Sequence, residues 1–264
     1  MARKALLGFG SGAAIGTLGG LIGLGGAEFR LPVLVGLLGM TPRGAVPMNL
    51  VISLATLAAA LLGRGASLSL EPLLQLWPAI LGLVAGGVAS ALWGAGVLSR
   101  LSDRRLSAVL ALLLAAIGLL LMIDAFLPDQ AEGLAPVRTA AQFAVAAAFG
   151  LAIGAVAALL GVAGGELLIP TLIFVFGANV VTAGTASILV SLILVPAALW
   201  RYGRLSMLPK KTDMQAIALP MGAGSVLGAV VGGLAVGIVP PFLLKMILGL
   251  VLIVSSIKVF ARRH

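Results

Sequence analysis

Gly161-Val162-Ala163-Gly164-Gly165-Glu166-Leu167-Leu168-Ile169-Pro170 repeats an earlier stretch, Gly23-Leu24-Gly25-Gly26-Ala27-Glu28-Phe29-Arg30-Leu31-Pro32, at an offset of 138 residues. The match extends both ways. Gly16, Leu21 and Leu34 align with Gly154, Leu159 and Leu172, Gly39 with Gly177, and Ser53-Leu54 with Ser191-Leu192. Further on, Pro78, Gly82 and Gly86 align with Pro220, Gly224 and Gly228 at an offset of 142. Apolar stretches resemble one another by chance because they use few residue types. A Glu and a Pro at the same spacing in both copies are a stronger sign of an internal repeat. The chain therefore reads as two halves, residues 1–130 and 131–264.

What surrounds the repeat is apolar almost throughout. Of the 264 residues, 61% are hydrophobic and 9% charged, too little polar surface for a soluble domain. The apolar segments of the first half are 5–23, 27–39, 44–63, 73–98 and 106–127. Those of the second are 138–161, 166–177, 180–200, 214–237 and 241–261. Gly and Pro punctuate the joins. The N-terminus imitates a signal peptide, but no polar cleavage region follows Arg3-Lys4, and it reads as a first membrane segment. Segments 27–39 and 166–177 are too short to span. Twelve or thirteen residues cover about 20 Å, against roughly 30 Å of hydrocarbon. Each reads as half of a broken, re-entrant hairpin with its tip at Gly23–Gly26 or Gly161–Gly165.

Charge sets the expected orientation. Basic residues gather at Arg3-Lys4, at Arg100, Arg104 and Arg105, at Arg201, Arg204, Lys210 and Lys211, and at Lys258, Arg262 and Arg263. All four groups should be cytoplasmic, with both termini. The 124–138 connection, with Asp124, Asp129 and Glu132 against Arg138, should lie outside. These placements agree only if each broken hairpin returns to the side it came from. The expected fold is thus an all-α integral membrane protein of two inverted-topology repeats, about five helical segments each. The re-entrant hairpins would meet near the midplane, as in many secondary transporters.

The tips carry the main candidate site. Helices starting at Gly25, Gly26 and Ala27, and at Gly164 and Gly165, would point free N–H groups at the membrane centre and hold an anion. Spaced-by-four Gly8, Gly12, Gly16 and Gly20 instead read as a close-packing face. Glu28 and Glu166 read equally as proton carriers and as N-terminal caps. Arg30 has Leu168 as its counterpart, and would either neutralise Glu28 through the tertiary fold or help hold the anion. In the next span, Asn49 and Ser53, with Ser187 and Ser191 in the second half, share helix faces that could line a cavity or bond between helices. Thr56 and Thr185 belong to the same group. Trp77, Trp200 and Tyr202 read as interfacial anchors, and Lys245 as a snorkelling lysine.

Other chemistry is poorly served. There is no cysteine, and the only histidine is His264, which leaves neither a thiolate nor a histidine metal site and no usual catalytic base. Gly8-Phe9-Gly10-Ser11-Gly12 lacks the Lys-Ser/Thr of a phosphate-binding loop. The net charge of +9 reads as membrane orientation and not as nucleic-acid binding. No cofactor, metal or enzymatic activity is expected.

A Gly-rich tip, then Glu, then Leu-Pro or Ile-Pro, in both halves, resembles the TauE/SafE family of sulfite and organosulfonate exporters. The resemblance covers essentially the whole chain. It implies a bacterial-type, multi-pass inner-membrane transporter exporting sulfite or a small organosulfonate, with or without proton linkage, with lipid as its surroundings. Two alternatives remain: a divalent-cation transporter using Glu28 and Glu166 as oxygen ligands, and a non-transporting membrane assembly factor.

Overall fold

The computed structural model describes residues 2–69, 71–93, 112, 115–116, 118–123, 125–126, 139–160, 162–204, 206, 208–209 and 211–261. Among these residues there are helices and short turns and no strand. α1 is Ala2–Ile22. α2 is Ala27–Pro32 and continues into a π-helical turn, Val33–Leu37. α3 is Pro42–Ser67, α4 Glu71–Gln75 and α5 Trp77–Trp93. In the second half α6 is Thr139–Leu160. α7 is Gly165–Pro170 and runs into a π turn at Thr171–Val175, and α8 is Val180–Arg204. Another π turn, Met214–Ala218, leads into α9, Leu219–Ala235, and α10 is Pro241–Ala261. Among the described residues, five stretches are long and apolar enough to cross a membrane: Lys4–Ile22, Gly44–Ser67, Thr139–Ala157, Val180–Arg204 and Met214–Ala235. The expected 73–98 segment is broken at Leu76 into α4 and α5. The expected 106–127 segment lies largely outside the described residues, with 118–123 helical.

Local geometry repeats at the offset read in the sequence. Gly26 (φ 70°) and Gly164 (φ 82°) are left-handed residues immediately before α2 and α7, a conformation in which Cβ clashes with the backbone and which glycine adopts freely. Pro32 and Pro170 close the two short α-helical pieces, and a π turn follows each. A proline ring lacks the N–H for the i−4 carbonyl and crowds it, so the ladder widens there. Thr41 caps α3, its Oγ1 accepting from the Gly44 N–H at 3.3 Å. Asn179 stands in the matching place before α8, its Oδ1 accepting from the Thr182 N–H at 2.8 Å.

Glycines set the packing. A Cβ at Gly12, Gly16 or Gly20 of α1 would run into the carbonyl of Met221, Ser225 or Ala229 of α9. A Cβ at Gly224, Gly228 or Gly232 would meet Phe9, Ala13 or Thr17 in return. Residue numbers rise together, so α1 and α9 run in the same direction with their backbones touching. The Gly8–Gly20 face is a packing face, as small-residue stripes between membrane helices are. α5 and α6 make the equivalent pair, through Gly82 and Gly86 on Phe143 and Ala147, and Gly150 and Gly154 on Leu83 and Gly87. The first helix of each half therefore packs against a helix late in the other.

The ends can be followed through contacts. The Lys4 ammonium donates to the Leu38 carbonyl at 3.4 Å. Ala45 and Met48 of α3 share a core with Ala218 and Met221. At the opposite end, Leu68, Ser69 and Pro72 line a cavity with Asn179, Val180, Thr182 and Pro241. α3 and α8 thus run in opposite directions. Trp77 and Trp200 are exposed, and the Arg204 guanidinium lies 5.0 Å from the centre of the Trp200 ring. Lys245, expected to snorkel, is instead 6% exposed, on a helix that packs against α1 and α8.

Candidate functional site: two glycine tips

The first tip turns through Gly23, Gly25 and Gly26, all at positive φ. Arg30 sits one turn into α2 and is fully buried. Its Nη2 donates to the Gly25 carbonyl and to Thr56 Oγ1 at 3.1 Å. Its Nη1 donates to Ser53 Oγ at 2.9 Å and to the Asn49 carbonyl at 3.5 Å. Asn49 Nδ2 donates to the Ala27 carbonyl at 2.8 Å. Gly25, Ala27, Arg30, Asn49, Ser53 and Thr56 thus form one buried polar network between the hairpin and the middle of α3. Such groups survive burial only when hydrogen-bonded.

The second tip repeats the left-handed glycine, Gly164 for Gly26, but not the positive φ of Gly25, whose counterpart is Ala163, and it has a simpler lock. Ser191 Oγ donates to the Ala163 carbonyl at 2.9 Å. Ala163 is the counterpart of Gly25, and Ser191 of Ser53. Where the first half interposes a guanidinium between serine and carbonyl, the second half joins them directly. Leu168, at the position of Arg30, is fully buried among apolar side chains. Ser187, the counterpart of Asn49, is also fully buried. Its Oγ has no hydrogen-bond partner among the described residues. Glu166 is 8% exposed in the first turn of α7. The side chain of Glu28 lies outside the described ones.

The tips meet. A Cβ on Gly165 would stand 3.1 Å from the Leu24 Cα, and one on Gly23 would run into the Gly184 backbone of α8. The arrangement is closed. Beside the second tip, Ala157, Val162, Ala163 and Leu194 enclose only about 10 Å3, about enough for one water.

A second buried arginine, Arg64, lies beyond the candidates drawn from the sequence. It is near the end of α3, fully buried. Its Nε donates to the Gly20 carbonyl at 3.0 Å and its Nη2 to the Leu21 carbonyl at 2.7 Å, at the end of α1. Its Nη1 reaches the Val181 carbonyl at 3.0 Å and Thr185 Oγ1 at 2.8 Å, at the start of α8. Gly184 makes room for it, since a Cβ there would be 3.0 Å from both terminal nitrogens. Residues 20 to 25 are therefore gripped from both sides, by Arg64 and by Arg30. One signal in the sequence, not read above, bears on Arg64. It is the lone arginine after a span whose end the positive-inside rule puts outside.

The family model described as sulfite exporter TauE/SafE matches residues 6–264. The chain belongs to the TauE/SafE family. The match covers the tips and both arginines, and with the apolar helices it makes the chain a multi-pass membrane protein of a transporter family. Comparison with curated proteins and with solved structures returned no match.

Proposed function

We propose that this TauE/SafE protein is a secondary transporter exporting sulfite or a small organosulfonate across the bacterial inner membrane. Its halves, 1–130 and 131–264, would be inverted repeats, each carrying a re-entrant hairpin. The observation that carries the reading is the contact between Leu24 and Gly165, which brings two glycine tips together. The tips pack beside the middles of α3 and α8, through Leu57 and Ser191. The Lys4–Leu38 bond supports a first hairpin that returns to its side of origin. With α1 and α9 parallel, the N-terminus and the 205–213 connection share one side, the cytoplasmic one by charge. Helix starts at the midplane suit an anionic substrate, and efflux of an anion is downhill when the cell interior is negative. The substrate would pass Gly25, Gly26, Ala27, Gly164 and Gly165 when the tips part, with Asn49 and Ser191 exchanging carbonyl partners for the anion and Ser53 and Ser187 offering their hydroxyls. Glu28 and Glu166 would supply proton coupling.

Reconstitution in liposomes tests this. Saturable flux of sulfite or sulfoacetate, exceeding that of chloride and of divalent metals, is the expected result. Flux of a divalent cation alone would replace this reading with the metal-transporter one.

A further inference from the structure

The cavity at the end of the molecule remote from Lys4 has a volume of about 460 Å3, within the range of small-molecule sites and several times a bare oxyanion. Its lining divides into two parts. One wall is apolar: Leu68, Pro72, Leu73 and Pro241. The other is polar and is built on the first turn of the 25-residue helix α8, from Asn179, Thr182 and Thr185, with Ser69 facing from the end of α3.

The polar wall has spare donors. Asn179 uses its Oδ1 to cap Thr182, which leaves its amide Nδ2 with two N–H groups to offer. Ser69 Oγ accepts from the Glu71 N–H at 3.3 Å and keeps its own proton for donation. Behind Thr185 stands Arg64. Every hydrogen bond of its guanidinium goes to a neutral oxygen: three backbone carbonyls and one hydroxyl. Among the described residues no carboxylate pairs with it. A buried cation compensated only by dipoles projects an attractive field onto any anion nearby. Glu71, the closest acid in sequence, is exposed and does not line the cavity.

We propose that this cavity binds an organic anion, a sulfonate head group on the Asn179–Thr182–Ser69 wall with its short carbon chain on Leu68, Leu73 and Pro241. This rests on the reading of the protein as an exporter of sulfur anions and narrows it. A site whose wall is mostly apolar, with Val180 and Val181 between the polar groups of α8, selects an alkanesulfonate over sulfite, whose surface is polar on all sides. On the proposed orientation the cavity opens outward, so it serves as a release vestibule.

The test is equilibrium binding of methane-, ethane- and butanesulfonate, and of sulfite, to purified protein in lipid-free detergent, where no lipid headgroup competes. Affinity should rise about fourfold per added methylene, and sulfite should bind weakest. Asn179→Asp keeps the helix cap and places a negative charge in the cavity, and it should weaken butanesulfonate at least tenfold. Thr182→Val, nearly the same shape, should weaken it several-fold. Affinity independent of chain length, or unchanged in both variants, overturns the inference. The same proteins in liposomes separate it from the transport reading. Wild type that moves sulfite while the variants bind butanesulfonate normally removes the vestibule alone. Wild type that binds butanesulfonate through Asn179 and Thr182 but moves no sulfur anion removes the transport reading and leaves the site.

Discussion

The two tips enter their short helices in the same way and differ in the turn before them, where Gly25 is left-handed and Ala163 is not, and in what holds them. Each has a left-handed glycine before a six-residue α-helix, a proline closing that helix and a π turn after it. The first is fixed by two buried guanidiniums, Arg64 on Gly20 and Leu21 and Arg30 on Gly25. At the second, the Ser191 hydroxyl holds the Ala163 carbonyl directly. At the offset of the repeat, Leu168 and Tyr202 stand where the first half has Arg30 and Arg64. The shape of a tip is therefore set by glycine and proline, which act on the backbone itself. The arginines add holding strength to a shape already specified. A hydrogen bond to a charged donor is worth roughly twice a neutral one, so the second tip is the one that opens at lower cost.

Removing the strongest grip should break the comparison most. Arg64→Met strands the carbonyls of Gly20 and Leu21, while Val181 keeps the Thr185 hydroxyl, and unsatisfied buried acceptors cost about 1–3 kcal/mol each. A loss of ~3–5 kcal/mol is expected, read as a large drop in melting temperature in detergent. A small drop would show that water or rearrangement supplies the missing donors.

Adding a methyl to each tip gives a sharper contrast. Gly26→Ala meets Ile15 Cγ2 at 2.5 Å, whereas Gly164→Ala meets Ile153 Cγ2 at 3.3 Å. Both carry a left-handed penalty of ~1–2 kcal/mol, and only the first adds a clash of ~1–3 kcal/mol. The first-tip variant should melt clearly lower. Equal losses would mean that strain in φ dominates and the surroundings do not matter.

Exchanging the locks comes next. Arg30→Leu installs the residue of the second half and should cost about 2–3 kcal/mol, through the Gly25 carbonyl left without its donor. Ser191→Ala should cost about 1 kcal/mol. If the second tip is the mobile one, Ser191→Ala should also raise the transport rate, and Arg30→Leu should not.

The smallest effect is expected from the acids. Glu28→Gln and Glu166→Gln cost about 1 kcal/mol or less if the carboxylates serve only as helix-start charges. If either carries a proton, transport by its variant loses its pH dependence while anion binding persists. Initial rates across pH for the two variants decide which half, if either, is coupled.

Much of this was legible in the chain. The tip glycines, the prolines, the short helical segments that follow the tips and the close-packing glycine stripe all act on local backbone, and local backbone is what spacing in a sequence reports. Arg30 was visible as an intruder, but its partners were not. They lie on α3, at Ser53 and Thr56, and in the Gly25 carbonyl, a group that no sequence pattern marks. Asn49, Ser53 and Ser191 share the faces read for them, and those faces meet tip backbone in this closed arrangement. Arg64 resembled an ordinary arginine at a membrane surface. Its burial depends on Gly184, more than a hundred residues away, and on the ends of two other helices. Only the folded chain brings those together.

The central claim is that each hairpin returns to the side from which it came, so that the tips approach from opposite faces. The chain has no cysteine, and single cysteines can be placed at exposed positions in each connection. Gly39 and Leu208 should react with a membrane-impermeant thiol reagent only from the cytoplasmic side, and Ser69 and Asn179 only from the periplasmic side. Periplasmic labelling at Gly39 with cytoplasmic labelling at Ser69, or cytoplasmic labelling at Asn179 with periplasmic labelling at Leu208, would mean that a hairpin crosses the membrane and would contradict the account.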